Sequence, residues 1–207
     1  TKKNNQKSKS FSIFKNKLIL YPMFFATFSY LIMNLVMTAT PLAIIGCGLS
    51  DNNAADVVMA HVLAMSLPSF FTGKLIIKYG ERKIIILGIF ILFFSAIGGL
   101  LGDNLLNFYT TLILLGIGWN FSFVGSTSML TNKSNNYNKE KIQGINDFIV
   151  FGFVALGSIL SGGILSCLGS NINDGWFLLN LIVFCSTLFI IILLIFKTTF
   201  LNYFKST

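Results

Sequence analysis

Along the chain, runs of about 20 apolar residues alternate with short polar breaks that carry glycine, asparagine or charge. A helix rising 1.5 Å per residue needs a run of that length to cross a hydrocarbon core of roughly 30 Å. Six windows qualify: 18–45, 54–77, 83–102, 105–130, 144–168 and 174–197. All six are read as helices, because backbone facing lipid must satisfy its own N–H and C=O groups. Turn signals separate them at Gly46 to Asn53, Tyr79-Gly80, Gly102-Asp103-Asn104, Asn132 to Asn138 and Gly169 to Gly175. The first window is long enough that it must tilt, bend at Pro22 or Pro41, or fray, and Pro41 is expected to bend its outer end.

Polar side chains divide the windows into two kinds. From Ile84 to Leu101 the third holds only Ser95, and from Trp176 to Phe196 the sixth holds Asn180, Ser186 and Thr187 among Leu, Ile and Phe. The first carries Thr27, Ser29, Asn34, Thr38 and Thr40; the second carries His61, Ser66, Ser69 and Thr72. The fourth carries Asn120, Ser122, Ser126, Thr127 and Ser128, and the fifth opens with Gln143, Asn146 and Asp147. Polar groups are expensive in hydrocarbon and belong in a bundle interior or wet cavity. The third and sixth helices are therefore expected to face lipid, and the other four are not. The repeating order polar, polar, greasy describes a 3+3 inverted repeat, since an odd number of spans flips the second triplet. Gly157 with Ser161, and Ser158 with Gly162, form small-xxx-small pairs suited to close helix packing.

Composition fixes the compartment. Of 207 residues, 54% are hydrophobic and 11% charged, against about 25% charged in soluble domains. The mean hydropathy of +0.77 agrees. Aqueous enzymes, nucleic-acid binders and secreted disulfide scaffolds are poor fits. The net charge of +8 is explained by position. All 15 Lys and Arg fall in the N-terminal stretch, the second-to-third link, the fourth-to-fifth link or the C-terminal stretch, while the opposite links carry Asp51, Asp56, Asp103 and Asp174. By the positive-inside rule both termini are cytoplasmic. Residues 1–17 read as a basic cytoplasmic linker without a signal-peptide cleavage pattern, and 198–207 as a cytoplasmic tail. The expected fold is an all-α membrane protein of six transmembrane helices.

The second-to-third link reads Gly73-Lys74-Leu75-Ile76-Ile77-Lys78-Tyr79-Gly80-Glu81-Arg82-Lys83. It resembles the loop motif G-x-L-a-D-r-x-G-r-r/k of the major facilitator superfamily, matching at Gly73, Leu75, Lys78, Gly80, Arg82 and Lys83. Ile77 replaces the motif's Asp, and Glu81 takes a basic slot, as in the degenerate second copy between that family's eighth and ninth helices. The stretches from His61 to Gly73 and from Gly118 to Gly125 look similar to a poorly characterised bacterial branch. The resemblance implies the C-terminal six-helix half of a secondary transporter. Helices one and four would line the cavity, two and five would flank it, and three and six would face outward.

Several side chains are candidates for the work. His61, the single histidine, can carry a coupling proton or make a helix–helix hydrogen bond. Asn34, Thr38, Trp119 and Asn120 are substrate-cavity candidates; the amides can bind solute or neighbouring helices, and the indole can stack on substrate or fill space. Asp147 is a second proton candidate, with a competing role at the first turn of the fifth helix, capped by Asn146. Cys47 and Cys167 both fall toward the outer side, where pairing is open, and Cys185 is read as buried. No metal-ligand cluster, cofactor motif or catalytic set is legible, so no enzyme activity, metal or cofactor is expected. The expected function is alternating access by two six-helix halves moving a small organic solute with proton coupling. The expected partners are that solute, membrane lipid and the N-terminal half; no nucleic acid is expected. A self-associating six-helix carrier or pore is the alternative, and a membrane-embedded enzyme is a third class.

Overall fold

The computed structural model describes residues 16–134, 139–167 and 172–203, with side chains described for 16–134, 139–163 and 174–196. The expected linker residues 1–15 and the last four residues lie outside the described residues. Seven helices make six spans. They are α1 (Lys17–Gly46), α2 (Asp51–Ser66), α3 (Ser69–Tyr79), α4 (Glu81–Leu100), α5 (Leu105–Lys133), α6 (Lys139–Cys167) and α7 (Ile172–Tyr203). Together α2 and α3 form the second span. All six spans are apolar and long enough to cross a bilayer, and no strand occurs among the described residues.

Polar caps start the helices where the turn signals stand. Asn16 accepts from the Leu18 amide, Ser50 from Asn53 and Asn104 from Asn107, each satisfying a donor the first turn leaves open. Gly80 alone separates α3 from α4. Its φ of +85° is a conformation open to glycine and costly for side chains with a Cβ.

Three expectations need correction. First, a break falls inside the second span, at Leu67-Pro68, where proline removes an N–H from the helical ladder, while α1 continues as one helix through Pro22 and Pro41. Second, α6 begins at Lys139, so Asp147 lies more than two turns inside it and the first-turn acid is Glu140. Asn146 is therefore no cap. Third, Cys185 is exposed. The Cys167 side chain lies outside the described residues, so the pairing with Cys47 is not addressed.

The packing follows the two triplets. Spans one and four meet at the centre; α6 lies on α1 as α2 lies on α5; and α4 meets both α5 and α7. This exchange of partners is what an inverted repeat requires. The α4–α5 crossing brings backbones together: a Cβ on Gly88 would stand 2.7 Å from the Gly118 carbonyl oxygen, and one on Gly118 2.9 Å from the Leu92 amide nitrogen. Small residues at such crossings admit close dispersion contact, the main attraction between helices in lipid.

Exposure does not follow the polar-versus-greasy division. In the most apolar stretch of each span, 50% of the first and fourth is buried, 44% of the third and 39% of the sixth. The second and fifth bury least, 17% and 22%. Their outer faces present Phe70, Phe71, Ile77, Phe148, Ile159 and Leu160. Ser29, Thr40 and Thr187 do lie inside, fully buried, and each bonds its own helix there. Ser29 donates to the Phe25 carbonyl, Thr40 to Val36 and Thr187 to Val183, the back-bonding that makes hydroxyls tolerable in membrane helices.

Candidate functional site

The candidate residues fall into three groups. The first is a seam between α1 and α6. Asn34 and Thr38 are one turn apart on α1. Asn34 Nδ2 donates to the Val154 carbonyl (3.1 Å) and to Ser158 Oγ (2.8 Å). Thr38 Oγ1 lies 2.8 Å from Ser161 Oγ and donates to the Asn34 carbonyl at 2.7 Å. Thr38 and Ser158 are exposed, and Asn34 is half-buried. Gly157 lets α1 settle here, since a Cβ on it would run into the Leu31 side chain. Sequence reading took Ser158 and Ser161 for packing residues. The signal for their second role was their register against Asn34 and Thr38, visible only once the helices are paired.

The second group is aromatic and lies one turn along the same α1 face. Tyr30 stands edge-on to Trp119 (5.4 Å, 87°) and Phe123 (5.2 Å, 80°), and tilted against Phe151 (5.9 Å, 68°). Trp119 and Phe123 stack at 5.1 Å and 11°. These separations and angles are those ring quadrupoles favour. The Trp119 Nε1–H is buried without an acceptor.

The third group surrounds the break in the second span. Asn120 is fully buried on α5. Its Nδ2 donates to the Met65 carbonyl (2.9 Å) and to Ser69 Oγ (2.6 Å), and its Oδ1 accepts from Thr72 Oγ1 (2.6 Å). Thus Trp119 and Asn120, adjacent in sequence, point into different groups. One joins the aromatic cluster toward α1 and the other grips α2 and α3.

His61 sits two turns above the break, fully buried. Its Nδ1 lies 2.8 Å from the Leu112 carbonyl oxygen. A carbonyl only accepts, so Nδ1 carries a proton, and Nε2 is buried without a partner. Gly116 allows this approach, because a Cβ there would be 2.9 Å from the His61 carbonyl oxygen. Asp147 stands apart, half-buried on α6, and accepts from Gln143 Nε2 (3.0 Å) and Asn146 Nδ2 (3.2 Å).

The loop-motif residues gather where α3 turns into α4. Gly73 has open space where a Cβ would be, Lys78 places its ammonium 5.1 Å from the Tyr79 ring centroid, and Arg82 interacts with Tyr21 of α1. Leu75 is half-buried in α3, and Lys83 is exposed in the first turn of α4. Glu81 Oε1 accepts from Asn132 Nδ2 at 2.7 Å, tying the turn to the end of α5. Ile77, in the motif's Asp position, is 88% exposed, so no acid makes a bond there. Among the described residues no cluster of His, Cys, Asp or Glu could hold a metal.

The described residues thus form six apolar helices long enough to cross a membrane, in two triplets, with a glycine-turned basic loop between the second and third spans. The chain belongs to the Major Facilitator Superfamily, whose model matches residues 22–205, and it is an integral multi-pass membrane protein. It is 47% identical over 156 residues to the riboflavin transporter RfnT of Brucella anthropi, covering 75% of this chain and 38% of that protein. Two uncharacterized MFS-type transporters of Bacillus subtilis are also similar. YddS is 32% identical over 64% of this chain and 31% of its own length, and YdeG 30% identical over 66% and 32%. The matched stretch thus spans well under half of each relative.

Proposed function

We propose that this chain is the C-terminal half of a proton-coupled secondary transporter, with both termini in the cytoplasm of a bacterium and the spans in its inner membrane. It works by alternating access against an N-terminal six-helix half. The observation that carries this is the apolar surface of the second and fifth spans. These flank the first and fourth, yet bury least of themselves, and the matched stretch fills only 38% of the transporter RfnT. A second bundle laid across these spans would cover that surface and enclose the α1–α5–α6 groups between two halves.

The transported solute is a small organic molecule, and riboflavin is the first to test because RfnT carries that name. Asn34, Thr38, Trp119 and Asn120 belong to the helices that would line the path. His61, whose Nε2 is buried without a partner, and Asp147, which is half-buried, are the groups that would exchange the coupling proton. The loop motif from Gly73 to Lys83 would join the bundle's movements at its basic end.

The test is uptake of labelled riboflavin by vesicles containing the complete gene product, with and without an imposed proton gradient. Accumulation above the outside concentration, abolished by an uncoupler, is the expected result. Equilibration unaffected by the gradient would remove proton coupling. A second copy of this chain could cover the same surface. Purification of a homodimer of this six-helix unit, active without a further bundle, would replace the two-half arrangement.

A further inference from the structure

We infer that the aromatic cluster and the α1–α6 seam form one binding site, and that it takes a flat heteroaromatic solute bearing a hydroxylated chain. The inference deepens the transport reading above and rests on it.

The two groups share a face. Tyr30, Asn34 and Thr38 recur every four residues on α1, so their side chains line one stripe rising about 6 Å per step. On α6, Phe151 meets Tyr30, Ser158 meets Asn34 and Ser161 meets Thr38. The order along the stripe is rings, then amide, then hydroxyls.

Each end has unused capacity. Phe151 is 58% exposed, while Tyr30 and Trp119 are half-buried, so ring surface remains open to a stacking partner. The Trp119 indole N–H has no acceptor in this arrangement of the helices, and a movement of the bundle that uncovers it would let a solute accept from it. A heteroaromatic ring supplies ring nitrogens or carbonyl oxygens as acceptors as well as a π face. A plain hydrocarbon ring supplies only the face. At the other end, the Thr38 and Ser158 hydroxyls are exposed and can each accept while donating elsewhere. Hydroxyl groups on a flexible chain match such partners. One helical turn separates the two chemistries, so a single molecule with a ring at one end and a polyol at the other satisfies both.

The test uses purified full-length transporter and three probes: riboflavin, lumichrome (a flavin-type ring without the sugar-alcohol chain) and ribitol. Stacking against Trp or Tyr quenches flavin fluorescence, which gives binding directly. Wild type is expected to bind riboflavin more tightly than lumichrome and ribitol only weakly. Trp119→Leu should lower affinity for riboflavin and lumichrome alike, by roughly tenfold or more as for other ring–aromatic stacks. Trp119→Phe, which keeps a ring, should retain most of the quenching. Ser158→Ala should weaken riboflavin and leave lumichrome unchanged. A folded Trp119→Leu protein that binds both probes like wild type overturns the site, as does Ser158→Ala weakening both equally. Wild type that binds no probe yet accumulates another solute overturns the site and leaves the transport reading intact. Wild type that binds both ring probes but moves neither across vesicles upholds the site and overturns that transport reading.

Discussion

Asn120 donates its side-chain N–H to the carbonyl of Met65, 2.9 Å away on the broken second span. That carbonyl lies in the last turn of α2, just ahead of the break at Leu67-Pro68. One amide on α5 thus caps the end of α2 and, through Ser69 and Thr72, fastens the start of α3.

Replacing Asn120 by Leu should therefore destabilise the bundle by about 1–3 kcal/mol, the cost of leaving buried polar partners unmade. Thermal unfolding in detergent measures it. Asn34→Leu should cost less, because its partners on α6, the Val154 carbonyl and the Ser158 hydroxyl, are less buried than those of Asn120. Equal losses would show that the break gains nothing special from Asn120.

Gly88→Ala should destabilise by about 1–3 kcal/mol, since the new methyl meets the backbone of α5 and overpacked cores lose that much. Gly152→Ala has open space around it and should be neutral or raise the melting temperature slightly, because alanine is the better helix former. The pair of melting temperatures, compared with wild type, checks both.

His61→Asn keeps a donor for the Leu112 carbonyl but removes the titratable nitrogen. Gradient-driven uptake should fall to the passive level, while solute exchange between loaded vesicles and medium continues. If gradient-driven accumulation survives in full, His61 is a structural strut and the coupling proton passes elsewhere.

Cys47 lies just beyond α1, at the end of the bundle that carries Asp51 and Asp103. Burial, chiefly, and the nearby Asp103 carboxylate push its thiol above the usual range. The reactive thiolate is therefore scarce near neutrality and grows as pH rises. In a variant with Cys167 and Cys185 changed to Ser, a membrane-impermeant maleimide should label intact cells slowly at pH 7 and faster at pH 9. Labelling only after the cells are opened would reverse the proposed orientation.

The spans were legible because hydrophobic run length is a one-dimensional property, and Gly80, Asn104 and Ser50 mark their ends with recognisable turn chemistry. Exposure was harder to read, since it depends on the neighbours a helix has. Ser29 and Thr40 are interior, as their type suggests, each satisfied by the carbonyl one turn back, but the exposed faces of the second and fifth spans carry polar groups too. The start of α6 was missed because Lys139, Glu140 and Lys141 broke the apolar window while continuing the helix. Asn34, Trp119 and Asn120 stood out by type. Their partners Ser158, Tyr30 and Met65 carry no mark of their own, and pairing across more than 50 residues defines them.

Gly80 has a mechanical consequence. With one residue joining α3 to α4, the turn has no slack and acts as a rigid elbow, further braced by the Glu81–Asn132 bond. The lower part of the second span is then a lever fixed at that elbow, and the turn at its other end, Leu67-Pro68, pivots only as the Asn120 bonds across it open. Probes placed either side of Gly80 should hold their separation through the transport cycle, while probes spanning Pro68 change theirs.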